Sequence, residues 1–320
     1  MTAAWPTAAA IREAAEALWT VAPPTPLVES AALSRLVGVP VWLKCEFAQP
    51  MGAFKIRGAW TAITRLAPEA QARGILTHSS GNHGQAVAWV AQRLGIRAVI
   101  VMPRTAPTVK VEGVRRYGGE IIFCEPTTPA RLALAREVQT REGLTMVPPY
   151  DDPNIVLGQA TCALEALELA PDLRTFLVPV GGGGLLAGTC ATVRGLAPEA
   201  TVIGVEPQGA PKLSAALAAG QPTTLEQTGS IADGLLPMTI GALTFEYIRQ
   251  MVCQAVTVSD PEIGAAVRFL HEAEGLRVEP SGAVGVAALL QGKVRPTSPT
   301  AVLLSGGNVD QARFDELVAA

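Results

Sequence analysis

Apolar residues recur at helical spacing after Lys55 (Ile56, Ala59, Trp60, Ile63, Leu66) and again from Gln85 onward (Ala86, Val87, Val90, Leu94). Each pattern predicts an amphipathic helix. Short apolar runs at 75–77, 98–102, 120–124 and 144–147 read as strands, separated by helical patterns at 85–94, 108–117 and 129–141. A proline-rich junction follows, Pro148-Pro149-Tyr150-Asp151-Asp152-Pro153, with the character of a hinge. Beyond it, strands at 175–180, 201–206, 255–258 and 301–304 predict a second, larger sheet. Such alternation predicts an α/β fold of two open, mostly parallel sheets. The expected division is a larger domain from 1–70 and 152–320 and a smaller, mobile one from 71–151. Residues 7–19 read as a surface amphipathic helix, and no internal repeat or low-complexity segment is present.

The polar positions gather where these elements meet. Thr77-His78-Ser79-Ser80-Gly81-Asn82-His83-Gly84 joins a strand to a helix N-terminus, where free backbone N–H groups and hydroxyls suit a carboxylate. One N-cap from Ser80 or Asn82 is the simpler reading, but capping needs a single such residue and the turn is polar throughout. After the strand at 176–180 come Gly181, Gly182, Gly183 and Gly184, then Leu185 and a helix. Glycines let a backbone approach a phosphate closely and aim N–H groups at it. Neither the dinucleotide fingerprint nor the Lys-Ser/Thr of a P-loop is present, so one phosphate monoester fits better than a pyrophosphate. A third strand ends in Ser305-Gly306-Gly307-Asn308.

Lys55 lies in Gly52-Ala53-Phe54-Lys55-Ile56-Arg57-Gly58-Ala59, at a helix start. The positive helix end repels a cation there by roughly 0.3–1 kcal/mol, which helps the amine shed its proton and form an imine. A plain surface lysine is the alternative for this motif alone. Three strand ends and one lysine converge on a small, singly phosphorylated, imine-forming molecule, and pyridoxal 5′-phosphate answers that description.

Composition narrows the classes. The chain has 320 residues, is 49% hydrophobic and 17% charged, and carries a net charge of −3, so it can bury a sizeable core and has no signature of nucleic-acid or membrane-surface binding. Cys45, Cys124, Cys162, Cys190 and Cys253 form no C-x-x-C pair and read as reduced, buried side chains of a cytoplasmic protein. No signal peptide and no apolar span of membrane length is legible.

Taken together, these motifs resemble the fold-type-II pyridoxal-phosphate enzymes (tryptophan-synthase-β-like), in the threonine/serine dehydratase and serine racemase group. The likeness runs from Thr25-Pro26-Leu27 through Ile231-Ala232-Asp233-Gly234 and Val278-Glu279-Pro280-Ser281-Gly282-Ala283 to Ser305-Gly306-Gly307-Asn308. It implies a cofactor in the cleft between two domains, with Lys55 as the Schiff-base lysine and Phe54 packing beside it. It further implies Gly181, Gly182, Gly183, Gly184 and Leu185 as the phosphate loop, Asn82 at the phenolic oxygen and Ser305 at the pyridine nitrogen. Ser79, Ser80, Gly81, Asn82 and His83 resemble the loop that grips the substrate carboxylate, and Ser80 the acid/base opposite the lysine in the racemase-like branch. His83 also reads as a helix-start histidine satisfied by the backbone. Arg131 stands where racemase-like relatives hold a dicarboxylate, although a solvated helix arginine is equally compatible with the sequence. Glu279 and Asp233 match family motifs and could serve to order loops.

The implied reaction is removal of the Cα proton and loss of a β-hydroxyl from threonine, serine or 3-hydroxyaspartate, giving a 2-oxo acid and ammonia, with serine racemisation possible beside it. A neutral Ser305 partner makes the pyridine ring a weaker electron sink, which favours elimination over transamination. The resemblance also implies a homo-oligomer, a dimer or tetramer, and with so little sequence beyond Ser305 no C-terminal regulatory domain is expected. The chain departs from the family at Ala53, where Ser is usual, and at Lys212. In members with a divalent-cation site, Glu206 and Ala210 would be joined by an Asp at that third position. An ammonium repels a cation, so no metal is expected. Two other classes share the fold. A non-catalytic binding protein sits poorly with intact Lys55 and Ser80, and a β-replacement enzyme of the cysteine-synthase kind usually has Thr where this chain has His83.

Overall fold

The structure, a computed structural model, describes residues 4–79 and 81–319. Ser80 therefore lies outside the described residues. Among the described residues, ten strands form two sheets: β1 (Leu27–Glu29), β2 (Val41–Cys45), β3 (Ile75–His78), β4 (Ala98–Pro103), β5 (Glu120–Cys124), β6 (Thr145–Met146), β7 (Thr175–Pro179), β8 (Thr201–Pro207), β9 (Val252–Val258) and β10 (Thr300–Leu304). The larger sheet has the order β1-β2-β10-β7-β8-β9 and the smaller β5-β4-β3-β6. All pairings are parallel except β1 with β2.

Strand periodicity assigns the cores. In β4, Ala98, Ile100 and Met102 enter the core shared with helices Lys55–Thr64 and Asn82–Leu94, while Val99 and Val101 face the helix Thr128–Glu142. In β10, Val302 and Leu304 pack toward Pro280–Leu290, whereas Ala301 and Leu303 join the core containing Pro153–Leu169 and Gly184–Leu196. Strands covered on both faces read as continuous apolar runs, which is why β7 and β10 were legible.

The larger sheet has six strands, two more than the apolar runs predicted. The pair β1–β2 was missed because Lys44 interrupts the run Val41-Trp42-Leu43-Lys44-Cys45. That ammonium is fully buried and donates to Glu165 Oε2 at 2.6 Å, so the strand survives its charge. β9 begins at Val252, three residues earlier than read, and β6 is only two residues long. The helix after the polar turn begins at Asn82, not Gln85. Asn82 and His83 are thus the first residues of a helix. The N-terminal helix Ala8–Trp19 is present, with Thr7 Oγ accepting from the Ala10 N–H at 3.1 Å.

Candidate active site

Lys55 is the first residue of its helix, and Phe54 before it offers no side-chain cap. Its position is fixed by strapping to the end of β10: the Phe54 N–H donates to the Ser305 carbonyl at 3.1 Å, and Ala53 bridges to Gly306. The Lys55 ammonium donates to the Pro149 carbonyl at 2.7 Å and lies 5.1 Å from the Phe54 ring centroid. Burial lowers its pKa to about 8.

The glycine loop connects β7 to the helix Gly184–Leu196. Gly183 occupies its N-cap at φ 97°, a left-handed conformation that favours glycine. A side chain on Gly182 would meet the Tyr150 ring at 2.2 Å, and one on Gly183 would meet Thr244 Oγ1 at 2.8 Å. The loop is bare because its neighbours need the space. The first-turn N–H groups of that helix have no carbonyl within the helix to pair with.

On the smaller sheet, the carboxyl end of β3 carries the polar turn. Ser79 Oγ accepts from the Gly81 N–H at 3.2 Å, and the Lys110 side chain packs against Gly81. Asn82 joins the turn to the larger sheet: its Nδ2 donates to Glu279 Oε1 at 2.5 Å, and its Oδ1 accepts from Asn308 Nδ2 at 2.9 Å. His83 is buried, with Nε2 on the Val147 carbonyl at 3.1 Å and Nδ1 without a partner among the described residues. Burial and the nearby Lys55 charge lower its pKa to about 3, so the ring is neutral. The backbone partner expected of a helix-start histidine is there, and one ring nitrogen remains unused.

Ser305 is buried at the end of β10, its hydroxyl only in marginal contact with the Ser281 carbonyl at 3.5 Å. Arg131 is half-buried rather than solvated, with Nη2 at 3.5 Å from Thr128 Oγ1 and a buried Nε that has no partner among the described residues. Its pKa is lowered by burial.

Two ionisable residues at this junction were unread. Lys110 is buried and donates to Asp233 Oδ2 at 2.6 Å, with Glu279 Oε2 at 3.3 Å. Tyr150, in the proline-rich junction, lies against Gly182. Burial raises the Glu279 pKa, against the pull of Lys110. Nothing local distinguishes Lys110 from a solvated helix lysine; the Pro-Pro-Tyr junction could have pointed to Tyr150.

The third position of the family's cation site holds an ammonium in place. Lys212 is fully buried and donates to the Ala210 and Leu235 carbonyls at 2.9 Å each, with Glu206 Oε2 at 3.6 Å. Burial lowers its pKa to about 8, opposed by Glu206. Glu206 in turn accepts from the N–H groups of Leu213 and Ser214 and from Ser214 Oγ, each at 2.8 Å.

Residues 18–306 match the model of the pyridoxal-phosphate dependent enzyme family. The chain belongs to this family. An L-threonine ammonia-lyase from Thermotoga maritima is 38% identical over 96% of this chain and 77% of its own length. A beta-hydroxyaspartate dehydratase from Paracoccus denitrificans is 40% identical over 89% of this chain and 91% of its own length. The structure of maize serine racemase superposes with a TM-score of 0.94 at 37% identity, covering 98% of this chain and 97% of that one. The protein is a pyridoxal-phosphate-dependent enzyme of the ammonia-lyase and racemase group, with the α/β fold read from its sequence. Among the described residues, no helix is long and apolar enough to cross a membrane.

Proposed function

We propose that this enzyme is an ammonia-lyase for L-β-hydroxy-α-amino acids of the threonine and serine class, with slower racemisation as a side reaction. The observation that carries the reading is Lys55: an amine brought down to about 8 by burial, hydrogen-bonded to Pro149, and strapped to the strand end bearing Ser305.

The residues fit pyridoxal phosphate. Gly181, Gly182, Gly183, Gly184 and Leu185 offer a bare helix start for its phosphate, Ser305 a hydroxyl with one long contact, and Asn82 an amide held by Glu279 and Asn308. When bound, the cofactor supplies an aldehyde for amine exchange and an electron-withdrawing ring. Lys55 anchors it and, once freed, takes the proton from Cα of the substrate. The turn from Ser79 to His83 orients the substrate carboxylate through hydroxyls and N–H groups. Neutral His83 adds no positive charge there, and its one N–H is held by the Val147 carbonyl. The β-hydroxyl departs with a proton as water, and hydrolysis of the released enamine gives the 2-oxo acid and ammonia.

A panel of L-amino acids scored for 2-oxo acid and ammonia tests this reading, which fails if ammonia is released from none of the β-hydroxy amino acids. Arg131 favours a second substrate. A half-buried guanidinium with an unpartnered Nε is suited to a further carboxylate, so 3-hydroxyaspartate belongs in the panel. The Paracoccus relative's name points the same way. We further read 71–151 as the mobile unit, because β3 to β6 all lie within it. The buried free thiols of Cys45, Cys124 and Cys162 support a cytoplasmic location.

A further inference from the structure

The helix that begins at Lys55 has a weak start. It has no side-chain cap, no acidic residue in its first turn, a cation at its positive end and a glycine at Gly58. Local preferences therefore do not hold Lys55 still. Two residues on, Arg57 is fully buried. Its Nε donates to Glu46 Oε2 at 2.7 Å and its Nη2 to Glu46 Oε1 at 2.8 Å, a two-point fork. A second fork reaches Glu165, from Nη1 to Oε1 and from Nη2 to Oε2, both at 2.7 Å. Nη1 also donates to Thr161 Oγ1 at 2.9 Å. Lys44 closes the group, donating to Glu165 Oε2 at 2.6 Å and to the Thr25 carbonyl at 2.7 Å. Two positive and two negative charges balance out of water.

The opposite relation holds on the apolar side. Ala59 and Ile63 share one core with Ala86, Val87 and Val90 of the helix Asn82–Leu94, which belongs with the smaller sheet. Apolar contacts are non-directional and permit sliding; a bidentate ion pair does not. The crossing with Pro153–Leu169 is also backbone-close, since a side chain on Gly158 would meet the Arg57 carbonyl at 2.3 Å. We propose that Arg57 is a positioning residue for Lys55: its paired forks to Glu46 and Glu165 fix the first turn of this helix to the larger sheet, so that the reactive amine stays in register with Ser305 and the glycine loop while the smaller sheet's helix moves over the apolar side. This rests on the reading of Lys55 as the reactive amine.

Three variants test it: Arg57→Lys, which keeps the charge and loses the forks; Glu165→Gln, which keeps the shape; and Thr161→Val, which keeps every charge and removes the hydrogen bond from Arg57 together with the one Thr161 Oγ1 donates to the Gly158 carbonyl. Hydrogen exchange on the cofactor-free proteins should be at least about tenfold faster for amides 56–60, with amides 85–94 unchanged. In the loaded enzymes kcat should fall about tenfold for Arg57→Lys and Glu165→Gln with KM within about twofold, and less for Thr161→Val. The pH midpoint of the bound cofactor's absorbance should move with it. If the variants melt earlier but keep wild-type exchange at 56–60, absorbance midpoint and kcat, the network only stabilises the fold and the proposal is overturned. Lys55→Ala separates the two readings. Loss of the cofactor absorbance in that variant, beside wild-type behaviour at Arg57, removes the anchor and leaves the lysine; its retention removes the lysine.

Discussion

Lys55 Nζ donates to the carbonyl oxygen of Pro149 at 2.7 Å, across 94 residues of sequence. The contact joins the helix carrying the amine to the junction between the two sheets. Among the described residues the amine has no carboxylate partner, and burial moves its pKa to about 8.

Lys55→Ala is expected to abolish turnover and the long-wavelength absorbance of the bound cofactor while the protein stays folded. Absorbance of the reconstituted variant checks it, and a retained band would place the attachment on another lysine.

The same amine gives a pH dependence of loading. Only the neutral form attacks an aldehyde, so uptake of pyridoxal phosphate by cofactor-free protein should accelerate as pH rises toward about 8 and level off above it. Stopped-flow absorbance from about pH 6 to 11 reads this; an inflection near the ordinary lysine value, about 10.4, would mean that the amine is not desolvated.

His83 makes the fold acid-sensitive. Its pKa is lowered from 6.5 to about 3 in the folded state, so between those values the unfolded chain binds more protons and stability falls with falling pH. Each pH unit within that window costs more than about 1 kcal/mol from this residue. His83→Gln should flatten the acid limb of the melting profile relative to wild type, although carboxylates keep part of the slope. Parallel limbs would refute this.

Lys212 fills the space among Ala210, Leu235 and Glu206 with its own charge. Magnesium or a chelator should therefore change melting temperature and activity little, where a bound ion would add about 2.7 kcal/mol at a hundredfold excess over Kd. A rise of several degrees with magnesium would show that other oxygens bind it. Lys212→Met should lower stability by about 1–3 kcal/mol, because two buried carbonyls lose their donor and Glu206 loses its nearby cation.

Ser80 carries the prediction that rests on sequence alone. The family resemblance implies a hydroxyl opposite Lys55, which would permit reprotonation with inversion, whereas elimination from the L-amino acid needs only the lysine. Ser80→Ala should remove racemisation and retain more of L-dehydration, measured by chiral chromatography. Equal loss of both would make Ser80 a carboxylate anchor.

Strand–turn–helix motifs are local, and so the sequence determined them. The strand ends at Pro179 and Leu304, the four-glycine turn and the helix start at Lys55 all fall within a few residues of where their apolar periods change. The fold class followed from that alternation. Tertiary structure decided which charges could be buried. Lys44 lies inside a strand because Glu165 meets it 121 residues away, and Asn82 is aimed by Glu279 at a separation of 197. Lys110, Arg57 and Lys212 each look like surface cations until their carboxylate or carbonyl partners arrive. A charge leaves water only when a partner of fitting geometry replaces the water it loses, and that partner is chosen by the packing of distant segments, not by the residue's own neighbours.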